Sequence, residues 1–139
     1  MAINYKDIEL AFDFVNFGQP YEHEAYLNLY TGETYWHSEI GDNEEELPDD
    51  IDDETKYIPL PHKNDLNLDK KLVLKFAYQY LPDDAEKVEN IFGHKGAYSR
   101  FKDILETKGK VEEWYEYESK AAEKALREWC KINEIKING

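Results

Sequence analysis

The stretch Glu24-Ala25-Tyr26-Leu27-Asn28-Leu29-Tyr30-Thr31-Gly32-Glu33-Thr34-Tyr35-Trp36-His37 decides the fold class. Aromatic and β-branched residues flank a short polar turn, the pattern of two antiparallel strands in a hairpin. Gly32 supplies the positive φ that a type I turn with a bulge requires. With the loop at Tyr30 to Gly32, Leu29 faces Glu33, Leu27 faces Tyr35 and Tyr26 faces Trp36. Both faces of the hairpin then carry rings. One face is expected to pack on helices and the other to lie partly exposed or under the acidic loop that follows at about 39–55.

Upstream of the hairpin, Asn4 can cap a helix over Tyr5 to Phe17, in which Ile8, Ala11, Phe12 and Val15 share one side and Gly18 supplies a stop. Ile8, Leu10, Phe12 and Phe14 also alternate, so a strand competes for the same segment. Downstream, Lys56 to Leu60 reads as a short third strand, which Pro59 and Pro61 confine to a sheet edge or end. The remainder is helical in pattern. Asn64, Asp65 or Asn67 can cap a helix to about Leu81 with Leu68, Leu72, Val73, Phe76, Ala77 and Tyr80 inward, and Pro82 breaks it. Asp83 and Asp84 favour a new start, with Val88, Ile91 and Phe92 inward and Gly93 as the cap. Ala97, Phe101, Ile104 and Leu105 mark a further helix that Gly109 ends. Val111, Trp114, Tyr115, Ala122, Ala125, Leu126 and Trp129 mark a last one from Lys110 to about Asn133. The order predicts an α+β fold: an N-terminal helix and small antiparallel sheet, packed on a C-terminal cluster of about four helices.

Length and composition bound the rest. At 139 residues the chain suits one domain, and 14% aromatic content is too rich for a disordered one despite a net charge of −14. Apolar runs are too short to cross a membrane and the N-terminus lacks a secretion signal, so a cytoplasmic protein is expected. Cys130 stands alone, which excludes an internal disulfide and a cysteine-based zinc site. Charge is segregated: residues 1–55 hold 16 acidic residues and one basic one, Lys6, whereas residues 56–139 hold 15 and 16. Ten of the carboxylates lie between Glu39 and Glu54, where no Lys or Arg intervenes, and this predicts a solvated, mobile acidic loop at about 39–55. Such a surface repels nucleic-acid phosphates, so nucleic acid is disfavoured as a partner.

Three further strings carry a likeness: Tyr26-Leu27-Asn28-Leu29-Tyr30-Thr31-Gly32-Glu33; Phe92-Gly93-His94-Lys95-Gly96-Ala97-Tyr98-Ser99-Arg100-Phe101-Lys102-Asp103; and Trp114-Tyr115 followed by Ala125-Leu126-Arg127-Glu128-Trp129-Cys130. With these the chain resembles the bacterial uncharacterised protein family 0158 over nearly its whole length. The resemblance implies a bacterial cytosolic protein and brings no catalytic residues to carry over.

The residues themselves offer two candidate sites. Gly93 to Ala97 leads into a helix start, where free N–H groups with His94, Lys95, Arg100 and Lys102 form an anion grip suited to a phosphorylated small molecule. The same residues also read as a cap, a turn and solvated cations, and the spacing matches no known phosphate loop. Trp36, Trp114 and Tyr117 are the candidate interaction surface, because Trp114, Tyr115 and Tyr117 cannot all face one way on a helix. His23, His37, His62 and His94 are scattered, no metal or cofactor site is legible, and no catalytic constellation stands out. The sequence therefore points to a non-enzymatic, protein-binding protein with an acidic N-terminal half, in one form an acidic mimic of nucleic acid. The alternative is an enzyme or ligand-binding domain that uses the Gly93 to Lys102 region.

Overall fold

The computed structural model describes residues 2–17, 22–38 and 46–139. In chain order they form β1 (Ile3–Asn4), α1 (Tyr5–Val15), β2 (His23–Asn28), β3 (Thr34–Ser38), β4 (Tyr57–Pro59), a 3-10 turn (Lys63–Leu66), α2 (Lys70–Tyr80), α3 (Ala85–Ile91), α4 (Ala97–Lys108), α5 (Val111–Ile132) and β5 (Ile137–Asn138). The fold is α+β, with β2, β3 and β4 in one antiparallel sheet. Among the described residues no helix is long and apolar enough to cross a membrane. The chain divides into two compact units: a sheet unit, Met1–Leu66 with Ala125–Gly139, and a helical unit, Asn67–Lys124.

In the sheet unit the Asn4 carboxamide oxygen accepts the Lys6 N–H at 3.0 Å and caps α1. Ile8, Ala11, Phe12 and Val15 are buried, so the helical period prevails over the alternation that a strand would use. The helix ends at Asn16, short of the expected Phe17. The Asn16 side-chain amide donates to the Phe12 carbonyl at 2.8 Å, and its oxygen accepts the Lys63 N–H at 2.8 Å. Gly18, the expected stop, lies outside the described residues.

The hairpin register differs by one residue from the sequence expectation. Tyr26 pairs with Tyr35, Ala25 with Trp36 and Leu27 with Thr34. Asn28 is the cause. Its side-chain oxygen accepts the N–H groups of Tyr30 at 2.9 Å and Thr31 at 3.1 Å, while its carbonyl accepts the Gly32 N–H at 2.9 Å. The loop therefore starts at Leu29 rather than Tyr30, and Gly32 takes the left-handed conformation, at φ +79°. A one-residue change of register moves every facing pair to new partners. His23, Ala25 and Leu27 are buried on the face that α1 covers, and Glu24, Tyr26 and Asn28 are half-buried on the other. β4 joins β2 at the sheet edge, where Pro59 removes no ladder hydrogen bond from a third strand.

Residues 39–45 of the acidic stretch lie outside the described residues. From Pro48 onward the backbone makes successive tight turns, Ile51 N–H to Pro48 at 3.1 Å, Asp53 to Asp50 at 2.8 Å and Lys56 to Asp53 at 3.0 Å. The Lys56 ammonium closes them on the Asp50 carboxylate at 2.9 Å. After α5 the chain reverses at Glu134, whose φ is +59°, and β5 pairs with β1 in parallel, a short ladder that the sequence reading lacked.

In the helical unit α2 begins later than expected. Asp65 is engaged elsewhere, accepting the His62 N–H at 3.0 Å, and Asn67 sits in the left-handed region at φ +59°, so Asp69 becomes the cap and accepts the Lys71 N–H at 3.3 Å. Leu72, Val73, Phe76, Ala77, Leu81, Ala85, Val88, Phe101, Leu105 and Trp114 form the core. Phe76 is its centre, with ring centroids of Tyr80, Phe101, Trp114 and Tyr117 at 4.8, 6.4, 5.2 and 5.3 Å. Tyr80 stacks on Phe76 but is exposed, not inward as expected. α3 ends at Phe92, whose N–H reaches the Val88 carbonyl, so Gly93 is not the cap. Gly96, at φ +75°, opens α4 with no side-chain cap.

Candidate functional site

The outer face of the sheet gathers three tyrosine–carboxylate pairs. Strand residues two apart share a face. Glu24 therefore stands beside Tyr26 and Glu33 beside Tyr35, and each tyrosine hydroxyl donates to its carboxylate, at 2.9 and 2.8 Å. Tyr57 of β4 lies on the same face, edge-on to Tyr35 with centroids 6.0 Å apart, and donates to Asp50 at 3.0 Å. Pairing shifts three of these groups. The hydrogen bond to Glu33, then burial, raises the Tyr35 hydroxyl above its usual range, and burial with the Asp50 bond does the same for Tyr57. Bonds from Lys56 and then Tyr57 hold the Asp50 carboxyl below its usual value. The face thus sets the half-buried rings of Tyr26 and Tyr35 beside carboxylates, whereas the Tyr57 ring is buried.

Charge around this face is lopsided. The sheet unit carries 19 acidic and 6 basic residues, a net of −13, against 12 and 11 in the helical unit, a net of −1. Beside the start of β3 lies an open hollow of about 690 Å³ lined by Asp7, Glu33, Glu46, Thr31, Thr34 and Tyr35. Next to the other face, Trp36 is 37% exposed and stacks on Phe14 with centroids 4.8 Å apart, and Phe17 is 71% exposed.

The expected interaction residues separate. Trp36 lies at the surface, but Trp114 is only 6% exposed, a correction that follows from its ring contacts with Phe76 and Phe101 in the helical core. Tyr117 is half-buried against the same core, and Tyr115 is the ring that points outward. Sequence reasoning missed Tyr26, Tyr35 and Tyr57. The signal was present in Glu24-Ala25-Tyr26 and Glu33-Thr34-Tyr35, a repeated acid and tyrosine at strand spacing, whereas nothing links Asp50 to Tyr57 before folding.

In the helical unit His94 and Arg100 line one shallow hollow with Asp83, Glu86, Lys87 and Asn90, of about 520 Å³. A second hollow shares Lys87, Ile91 and Arg100 and adds Asp84, Asp103 and Lys108, of which Lys108 pairs with Asp84 at 3.4 Å. Carboxylates thus offset the cations there. Lys95 and Lys102 are exposed and line neither hollow. His37 stands across from Glu24 on the sheet, and His62 is buried, its Nδ1 accepting the Asn64 N–H at 3.1 Å. Burial and then Lys63 push the His62 imidazole below its usual pKa. Burial also raises the Cys130 thiol. Among the described residues no group of three or more His, Cys, Asp or Glu is placed to hold a metal ion.

No protein-family model, curated protein or solved structure matches the chain.

Proposed function

We propose that this chain is a non-enzymatic protein-binding protein of the bacterial cytoplasm, whose acidic sheet unit receives a basic segment of another protein. The observation that supports the reading is the set of three tyrosine–carboxylate pairs on one face of a unit with a net charge of −13. Ring faces attract guanidinium and ammonium groups, and ionised carboxylates pair with them. Such a field also speeds encounter with a basic surface, including that of a nucleic-acid-binding protein, so a mimic of nucleic acid is one form of this reading. The cellular placement is what the sequence resemblance to uncharacterised protein family 0158 implies. A phosphorylated small molecule at Arg100 gains less, because Asp83, Glu86 and Asp103 face the same hollows.

Calorimetric titration with a blocked decapeptide of alternating arginine and valine tests the proposal. Binding is expected at low ionic strength and weakens as NaCl rises. Changing Glu24→Gln, Glu33→Gln and Asp50→Asn together is expected to reduce affinity about tenfold. Removing the same charge from the helical unit, as Glu106→Gln, Glu112→Gln and Glu123→Gln, is expected to change it far less. Equal losses from the two triple variants overturn the proposal.

A further inference from the structure

We infer that the partner's basic segment binds in extended form, as a fourth strand added along the outer edge of β3. The inference rests on the protein-binding reading above and gives that reading its geometry.

The sheet has two edges of different character. β4 is three residues long and contains Pro59, a blunted edge. β3, with the sequence Thr-Tyr-Trp-His-Ser, contains neither proline nor lysine and is the other edge. Its ladder phase follows from the Asn28 N–H, which donates to the Glu33 carbonyl at 2.8 Å. Hydrogen-bonded pairs alternate along an antiparallel ladder, so Tyr35 and His37 turn their amides and carbonyls to β2, and Thr34 and Trp36 turn theirs outward. Among the described residues nothing hydrogen-bonds to those outward groups of Thr34 and Trp36.

The surroundings specify the occupant. A strand added here projects alternate side chains to the two sheet faces. On one side they meet Tyr35 and Glu33, with the Asp7 and Glu46 carboxylates at the strand's start, a setting for arginine or lysine. On the other they meet Trp36, stacked on Phe14, a setting for an apolar residue. The segment is therefore extended, with basic and apolar residues in alternation. A second copy of this chain is a poor occupant, because two sheet units of net charge −13 repel each other.

Amide exchange followed by ¹H–¹⁵N spectroscopy on the full chain tests the inference with the arginine–valine decapeptide and with the same peptide N-methylated throughout its central residues. The methylated peptide keeps the charge and loses the ladder donors. At saturation with the first peptide the Trp36 amide is expected to exchange at least about tenfold more slowly, and the methylated peptide to bind at least about tenfold more weakly. Equal binding of both peptides with no added protection at Trp36 overturns strand addition and leaves the basic-partner reading standing. Failure of both to bind overturns both.

Discussion

The helical core and the tyrosine face of the sheet hold their rings in opposite ways. In the helical unit Phe76, Phe101 and Trp114 turn inward and meet edge to face, with net charge near zero around them. In the sheet unit Tyr26 and Tyr35 stay half-buried on a sheet face, each hydroxyl tied to a carboxylate. Aromatic content alone therefore marks no interface. What separates these two groups of rings is the partner of the polar atom and the charge beside it.

Truncating the two kinds of ring sharpens that contrast. Phe76→Ala should cost about 3–5 kcal/mol in denaturant unfolding, because a fully buried ring leaves a cavity among four others. Tyr35→Ala should cost less than about 1 kcal/mol, as a half-exposed ring does, while weakening the basic peptide. Comparable losses would erase the distinction. Two glycines give a smaller contrast. Gly32→Ala combines left-handed backbone with a new Cβ 3.3 Å from Ile3 Cγ1, whereas around Gly96 nothing lies within 4 Å. Costs of about 2 and about 1 kcal/mol are expected, in that order, from melting curves of the two variants.

Acid should produce the mildest change, and it should arise in the sheet unit. His62 has its pKa depressed below 6.5 by burial and Lys63, so above that value the imidazole is neutral whether the chain is folded or not. As pH falls through 6.5 the unfolded chain takes up the proton first, and stability declines until the folded His62 is protonated as well. His62→Gln should flatten this part of a stability profile measured between pH 7 and 5; a profile that keeps its slope would remove His62 from the account.

The helices were legible because their apolar spacing is local. Ile8, Ala11, Phe12 and Val15, or Phe101 and Leu105, declare their buried side within a few turns. The α+β class and the edge position of β4 followed from the same kind of pattern together with Pro59. What failed depended on single side chains finding backbone partners. Asn28 lengthened the hairpin loop and changed its register, Asn16 ended α1 early, and Asp69 displaced Asn64, Asp65 and Asn67 as the α2 cap. The acidic character of the sheet unit was plain in the sequence, but its tyrosine face was not, because pairing Tyr26 with Tyr35 needs the observed register. Trp114 was misplaced for a related reason: helical spacing shows that its neighbours diverge without showing which one turns to Phe76.

Mapping where a basic peptide lands is the most direct test of the central claim that the sheet unit, not the helical one, meets the partner. In a ¹H–¹⁵N titration of the full chain with the arginine–valine decapeptide, shifts are expected at β2, β3 and Tyr57, with α3 and α4 unmoved. Shifts centred on Lys87 to Lys108, with β3 silent, would contradict it.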